Sequence, residues 1–250
     1  MSVGMTRTLV LMLAPICLGV AGCDMAGTAK RTNASRQFPA PDRPVSELGA
    51  NSVSTEEARD SLNEAVTVMD LAKIAPGTTV ADIGAGDGYY TVRLAARVGA
   101  NGRVLAQDID AKALEGLAQR IGRERLENVS IKRGKPDDPG LPATSFDRIF
   151  MVHMYHEVTE PYAFLWRLQP ALKKGGQVVV VDRDRPTDQH GIPPLLLQCE
   201  FEAVGYRLVE FVRKPEIAGY YASFEPDGQP RPAPGAILPC KMNKGEVTIG

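Results

Sequence analysis

The stretch Val80-Ala81-Asp82-Ile83-Gly84-Ala85-Gly86-Asp87-Gly88 constrains this chain more than any other. A buried strand, Thr79–Ile83, runs into three glycines separated by single residues, and Tyr89–Val98 then carries the pattern of a helix. A strand that turns on glycines into a helix brings bare backbone close to a ligand at the carboxyl edge of a parallel sheet. Dinucleotide-binding loops space their glycines as G-x-G-x-x-G, and the third of those positions is Tyr89 here. Asp82 stands two residues before the first glycine. A carboxylate there suits a ligand with an ammonium group better than one with a pyrophosphate, so a nicotinamide dinucleotide is disfavoured.

The remaining chain alternates strand and helix. Ser54-Thr55-Glu56-Glu57 reads as a capping box, with Ala58, Leu62, Ala65 and Met69 at helical spacing behind it and Pro76-Gly77 as the stop. Further strands are expected at Arg103–Asp108, Val129–Arg133, Phe146–His153 and Gln177–Asp182, the last a fully buried run. Helices are expected from Asp110 to about Ile121, from Pro161 to a stop at Gly175-Gly176, and over Pro193–Val204. Arg207–Arg213 and Tyr220–Glu225 follow each other as two strands joined around residues 215–219. The fold class is therefore α/β, a doubly wound and mostly parallel seven-stranded sheet with an antiparallel C-terminal hairpin, over residues 51–225. Residues 226–250 form a proline-rich tail expected to lie extended on the surface. With 29 Lys and Arg against 30 Asp and Glu, the net charge of -1 argues against nucleic acid as a partner.

The second strand ends in Gln107-Asp108-Ile109, an acid about twenty residues beyond the loop, where it can accept hydrogen bonds from both hydroxyls of a ribose. Asp82, the three glycines and Asp108 together resemble the class I S-adenosylmethionine-dependent methyltransferases, in the branch that includes the ubiquinone and menaquinone enzymes. The resemblance runs over roughly residues 55–225 and takes in Gly134 to Asp147, the loop leading into the fourth strand. It implies a Rossmann-like methyltransferase fold, S-adenosyl-L-methionine as cofactor, and methyl transfer to a small-molecule or lipid-like acceptor. By the same resemblance Asp82 lies near the methionine amino group, and Gly84, Ala85 and Gly86 lie along the homocysteine and ribose. Asp108 would bind the ribose diol and Ile109 would face the adenine. The chain departs from the family at Lys135, where an aspartate usually meets the adenine amino group; Asp137 or Asp138 is the substitute. Two alternatives stand beside this one: an adenosyl-ligand-binding lipoprotein without turnover, and an NAD-dependent oxidoreductase, which Tyr89 disfavours.

His153, His156 and His190 all fall just past the carboxyl ends of the fourth and fifth strands, the ligand face of such a sheet. Methyl transfer to oxygen or nitrogen needs in-line alignment and loss of an acceptor proton, and an imidazole suits the second task. His156 is the candidate base, with Tyr155 and Glu157 as its orienting neighbours, and His153 packs beside the cofactor. The competing reading makes His156 a helix cap or a partner for a backbone carbonyl, and His190-Gly191 a turn. His153, His156, Glu157 and His190 have no recognised metal-ligand spacing, and no metal is expected.

At the N-terminus Arg7 precedes the apolar stretch Leu9–Ala21, and Val20-Ala21-Gly22-Cys23 follows. That order resembles the lipobox of bacterial lipoproteins. It implies a signal peptide over residues 1–22, lipidation of Cys23, and a membrane-anchored protein on the periplasmic side, or a cytoplasmic one if the leader is not used. Residues 23–50, with Pro39, Pro41 and Pro44, read as a tether whose Val45 to Leu48 end folds back on the domain. Cys199 and Cys240 are the cysteines outside the leader, and in an oxidising compartment they would join the tail to the last helix. Oligomeric state is not legible.

Overall fold

Val178 to Val181 sit in the middle of the fifth strand, and none of the four valines is exposed to solvent. Val178 and Val180 face one hydrophobic cluster, Val179 and Val181 the other. A strand buried on both faces belongs at the centre of a sheet covered by helices on each side. The computed structural model describes Met1, residues 31–48, 55–214, 217, 219–243 and 246–250. The expected signal peptide, Cys23, Ser54 and most of the 215–219 turn lie outside the described residues. Contacts divide the chain into Met1–Arg31 and Thr32–Gly250, and the second unit carries every element below.

The strands are β1 (Thr79–Ile83), β2 (Arg103–Asp108), β3 (Val129–Arg133), β4 (Phe146–Val152), β5 (Leu172–Asp182), β6 (Tyr206–Lys214) and β7 (Gly219–Pro226). They form one seven-stranded sheet in the order β3-β2-β1-β4-β5-β7-β6. The pairs from β3 to β5 are parallel, while β7 runs antiparallel to both β5 and β6. This is the expected doubly wound sheet with its antiparallel hairpin. The strand order reverses between β1 and β4, which opens a crevice past their carboxyl ends. Helices α2 (Glu64–Leu71) and α3 (Tyr89–Val98) pack on one face, α5 (Pro161–Leu168) and α6 (Pro194–Ala203) on the other. Helix α4 (Ala111–Glu124) buries Leu117 against Ala85 and Ala106.

Four expectations need correction. The single helix expected behind residue 54 is two, α1 (Glu56–Ser61) and α2, broken where Asn63 adopts a left-handed φ of 54°. Thr55 is the N-cap, its hydroxyl accepting from the Ala58 N–H. Gly175-Gly176 lies inside β5 and does not stop a helix. A Cβ at Gly176 would stand 2.8 Å from the Phe146 carbonyl oxygen, and the β4–β5 register shifts just there, so glycine serves close strand approach. The tail is not simply extended: β8 (Cys240–Asn243) and β9 (Glu246–Ile249) form a second hairpin. Cys240 is buried and joined to Cys199 by a disulfide that fastens β8 to α6. Finally, residues 32–48 are not a free tether. Phe38 is buried edge-on against Trp166, and Ser35, Arg43 and Ser46 make the contacts described next.

Candidate active site

The glycine loop is built mostly by backbone. Gly84, Gly86 and Gly88 have φ of +69°, +51° and +88°, a region that favours residues without a side chain. A Cβ on Gly84 would also stand 2.9 Å from the Met154 side chain. The N–H groups of Gly84 and Ala85 both donate to the Gln107 carbonyl, at 2.8 and 3.0 Å, pinning the loop to β2. Gly86 N–H donates to Asp108 Oδ2 at 2.9 Å, and Asp110 N–H donates to Asp108 Oδ1 at 2.9 Å. Each Asp108 oxygen keeps acceptor capacity, and the residue is half-buried at the strand end. Ile109 is half-buried beside it.

Asp82 is buried at the root of the loop and accepts from the Thr91 hydroxyl at 2.6 Å. Burial pushes its carboxyl up to about 6, with the Asp108 charge adding to the shift and Thr91 and Arg59 opposing it. The Gln107 amide nitrogen is buried against Gly134 and has no hydrogen-bond partner among the described residues. Sequence reading passed over Gln107, whose only signal was a polar residue inside a buried strand.

Helices α1 and α2 come over this end of the sheet. The Tyr89 ring lies between the Arg59 and Arg93 guanidiniums, each 3.8 Å from its centroid, and its hydroxyl donates to Asp60 at 2.9 Å. Tyr89, the residue that breaks the dinucleotide pattern, is thus a clamp for α1. His153 adopts φ 54° and sets Nε2 3.6 Å from Glu64, while its Nδ1 is buried without a partner among the described residues. Burial raises the Glu64 carboxyl, but the adjacent His153 and the hydrogen bonds and charge of Arg59 outweigh it and hold the group at about 2.

Asp137, the expected adenine contact, is held by protein side chains. Its Oδ2 accepts from Arg167 at 2.6 Å, Ser35 at 2.8 Å and Thr32 at 3.2 Å. Despite burial, these donors hold its carboxyl below the usual range. Asp137 is therefore a clasp between residues 32–35 and α5. Lys135 and Asp138 exchange backbone hydrogen bonds in a tight turn beside it.

At the other end of the edge, His156 sits in a short turn, Tyr155–Glu157, with none of its surface exposed. Its Nδ1 lies 2.9 and 3.0 Å from the two oxygens of Asp182, the last residue of β5. A carboxylate so placed accepts the Nδ1–H and orients the ring, with Nε2 directed away from it. That Nε2 is 3.9 Å from Glu157 Oε1, and the ring of His190 stands edge-on with centroids 5.7 Å apart. Glu157 and His190 are half-buried. The orienting partner of His156 is thus Asp182, and Tyr155 does not orient it. Tyr155 turns the opposite way into the core, where its hydroxyl donates to Glu200 at 2.7 Å and its ring packs on Phe201.

Two residues of the expected tether hold these segments. Arg43 is buried, donates from Nε to Glu200 at 2.7 Å, and reaches the carbonyls of His156 and Val158 at 3.4 Å. Ser46 donates to the Thr187 carbonyl and accepts from the His190 N–H. Neither was legible, because a polar residue in a proline-rich stretch looks alike whether it is solvated or buried.

Residues 80–176 match the family of methyltransferase domains. A ubiquinone/menaquinone biosynthesis C-methyltransferase of Hahella chejuensis is 27% identical over 126 residues, covering 48% of this chain and 49% of the relative. Its counterpart in Methylococcus capsulatus is 28% identical over 152 residues, covering 58% and 57%. The chain thus spans about half the length of the curated relatives it matches. Among solved structures, a SAM-dependent methyltransferase of Aquifex aeolicus aligns with a TM-score of 0.60 at 24% identity, over 67% of this chain and 90% of that one. The cyclase SpnF aligns at 0.59 and 16%, over 78% and 92%. At such identities the structural likeness speaks for the fold, which carries more than one chemistry.

Proposed function

We propose, from the methyltransferase domain that residues 80–176 match, that this chain is an S-adenosylmethionine-dependent methyltransferase acting on a small-molecule or lipid-like acceptor. The observation that carries the reading is the junction of loop and second strand, where Asp108 holds Gly86 and still offers acceptor capacity. The residues fit the cofactor. Asp108 would take the ribose hydroxyls, Asp82 the ammonium group, and the Gly84–Gly86 backbone the chain between them. Asp82, buried and held near 6, gains most from a cationic ligand, and the Gln107 amide is a buried donor without an acceptor at the same edge. Bound there, the cofactor supplies an electrophilic methyl group.

The chain's own work is on the acceptor side. Asp182 holds the His156 ring, Arg43 fixes the backbone that carries it, and Ser46 fixes His190 opposite. Activation of the acceptor falls to the Nε2 lone pair of His156, on the side of Glu157 and His190. The ubiquinone and menaquinone relatives favour an acceptor with an apolar body and ring oxygens.

Calorimetric titration of the full chain with S-adenosylmethionine, S-adenosylhomocysteine and NAD tests the reading. Binding of both adenosyl ligands but not NAD, lost in Asp108→Ala, is expected. No adenosyl binding by folded protein would overturn it. Tight binding with no methyl transfer to any quinol or phenol would favour the binding-module alternative, to which the full enclosure of His156 lends support.

Export and lipidation at Cys23 belong to the same proposal. The Cys199–Cys240 disulfide supports them, since such bonds persist in oxidising compartments. Among the described residues no helix is long and apolar enough to cross a membrane, so membrane attachment would rest on the lipid. Mass spectrometry of the N-terminal peptide from membrane-extracted protein is expected to show acylated Cys23.

A further inference from the structure

His156, Glu157 and His190 each place one ligand-type atom within 4.8 Å of the other two. Two imidazoles and one carboxylate are a recurrent set for zinc and for other first-row divalent ions. Three independent features support a metal over a chance cluster. The His156 ring is backed by Asp182 through Nδ1, the carboxylate–histidine arrangement that orients metal-bound imidazoles and raises their basicity. The Nδ1 of His190 is buried without a hydrogen-bond partner among the described residues, costly for an imidazole nitrogen unless a ligand takes it. Its backbone is also set deliberately: His190 adopts a left-handed φ of 54°, and its N–H is held by Ser46.

We propose that these three side chains hold one divalent transition-metal ion, with zinc the first candidate. With the ion bound, the His156 Nε2 lone pair would be spent on the metal, and acceptor activation would pass from the imidazole as base to the ion as Lewis acid. With metal–nitrogen and metal–oxygen bonds of about 2.0–2.2 Å, the ligand atoms of a tetrahedral site lie roughly 3.3–3.5 Å apart. Closing from the present separations takes about an ångström of movement. The half-buried Glu157 and His190 side chains can supply it while Asp182 keeps His156 in place. Three protein ligands leave a further position for an oxygen of the acceptor, so the site would select acceptors carrying a hydroxyl, enol or phenol oxygen over purely nitrogenous ones. This acceptor preference rests on the methyltransferase reading; the metal site does not.

The test is metal binding to the full chain, freed of metal by a chelator that is then removed. Zinc affinity is read by competition with a chromogenic chelator, and site geometry by the visible absorption of the cobalt-loaded protein. One equivalent is expected, with tetrahedral cobalt bands. Glu157→Gln and His190→Asn are each expected to weaken binding at least tenfold, and Asp182→Asn by about 10–100-fold. Asparagine tolerates the left-handed backbone at 190, so His190→Asn should fold, and its thermal unfolding in the absence of metal checks this. Absence of stoichiometric binding in the native sequence would overturn the proposal, as would unchanged affinity in folded His190→Asn and Glu157→Gln. Asp108→Ala, run in parallel, should keep the metal while losing the adenosyl ligand. A failure of the metal site is thereby distinguished from a failure of the cofactor site.

Discussion

The two ends of the sheet's carboxyl edge are built in opposite ways. At the β1–β2 end a ligand cradle comes from one short stretch, residues 82–108, and its hydrogen bonds are mostly backbone: Gly84 and Ala85 to Gln107, Gly86 to Asp108. At the β4–β5 end the histidine cluster is assembled from distant parts of the chain. Arg43 and Ser46 come from the N-terminal segment, His156 and Asp182 from the two strand ends, His190 from the following loop, and Glu200 from α6. A local cradle tolerates change elsewhere, whereas a cluster tied by buried charge depends on every contributor.

Arg43→Ala should separate the two ends most sharply. It leaves Glu200 buried without its cation, a change that costs about 3–5 kcal/mol. Equilibrium denaturation followed by Trp166 fluorescence reads this, because Trp166 is the only tryptophan and packs on Phe38 of the same segment. Under native conditions the affinity for an adenosyl ligand should stay within about twofold, the cradle being a separate construction. A large loss of that affinity would show that the ends are coupled and remove the contrast.

Cys240→Ser is the next largest change. The Cys199–Cys240 bridge closes a separation of 41 residues, and its removal should cost about 2–4 kcal/mol of unfolding free energy. The loss should fall on the α6–β8 packing, leaving the cradle's ligand affinity in place. Hydrogen exchange by fragment checks that localisation: faster exchange is expected in 194–203 and 240–249 rather than in 80–108.

The same contrast explains what the sequence disclosed. Six strands of the main sheet, the second half of β5, α3 and the candidate cradle residues Asp82, Gly84, Gly86 and Asp108 were legible because strand pattern, glycine spacing and acid spacing are all short-range properties. His156 was legible as a candidate from its strand-end position, but its partner was not. Tyr155 is adjacent in sequence and Asp182 adjacent in space, and only the β4–β5 pairing decides between them. The protein partners of Asp137 were hidden for a related reason. A resemblance can assign it to a ligand, but two of its three side-chain partners, Ser35 and Thr32, lie in a segment with no periodicity to place it, and the third, Arg167, is 30 residues away. Gly175-Gly176 misled because a helix stop and a close strand approach ask for the same residue.

Asp82→Asn probes the cradle by itself. The carboxyl is held at about 6 in the folded chain against 3.8 when unperturbed. The folded protein therefore binds the proton more tightly, so stability is lost as pH rises from about 4 through 6. Asparagine lacks this penalty. Ligand-free Asp82→Asn should be more stable than the native sequence by up to ~3 kcal/mol at pH 8 and gain nothing at pH 4, as thermal unfolding at the two pH values would show. Its affinity for S-adenosylmethionine should fall. A variant that is no more stable at pH 8 would mean that the burial of Asp82 is already offset within the protein.

The smallest effect, and the most specific to the cradle, is the pH dependence of ligand affinity in the native sequence. If Asp82 receives an ammonium group, only its ionised form does so, and the ligand must expel a proton wherever the free protein holds one. Affinity should be level above pH 7 and decline below 6, approaching tenfold per pH unit, about 1.4 kcal/mol. Calorimetry at pH 6 in buffers of different ionisation enthalpy should record close to half a proton released per ligand bound. In Asp82→Asn that release should vanish and the profile flatten, because the titrating carboxyl is gone. Release that survives the substitution would place the titrating group elsewhere. The ammonium contact would then have to be sought on the α1–α2 side, where Glu64 is already ionised at every pH in the experiment.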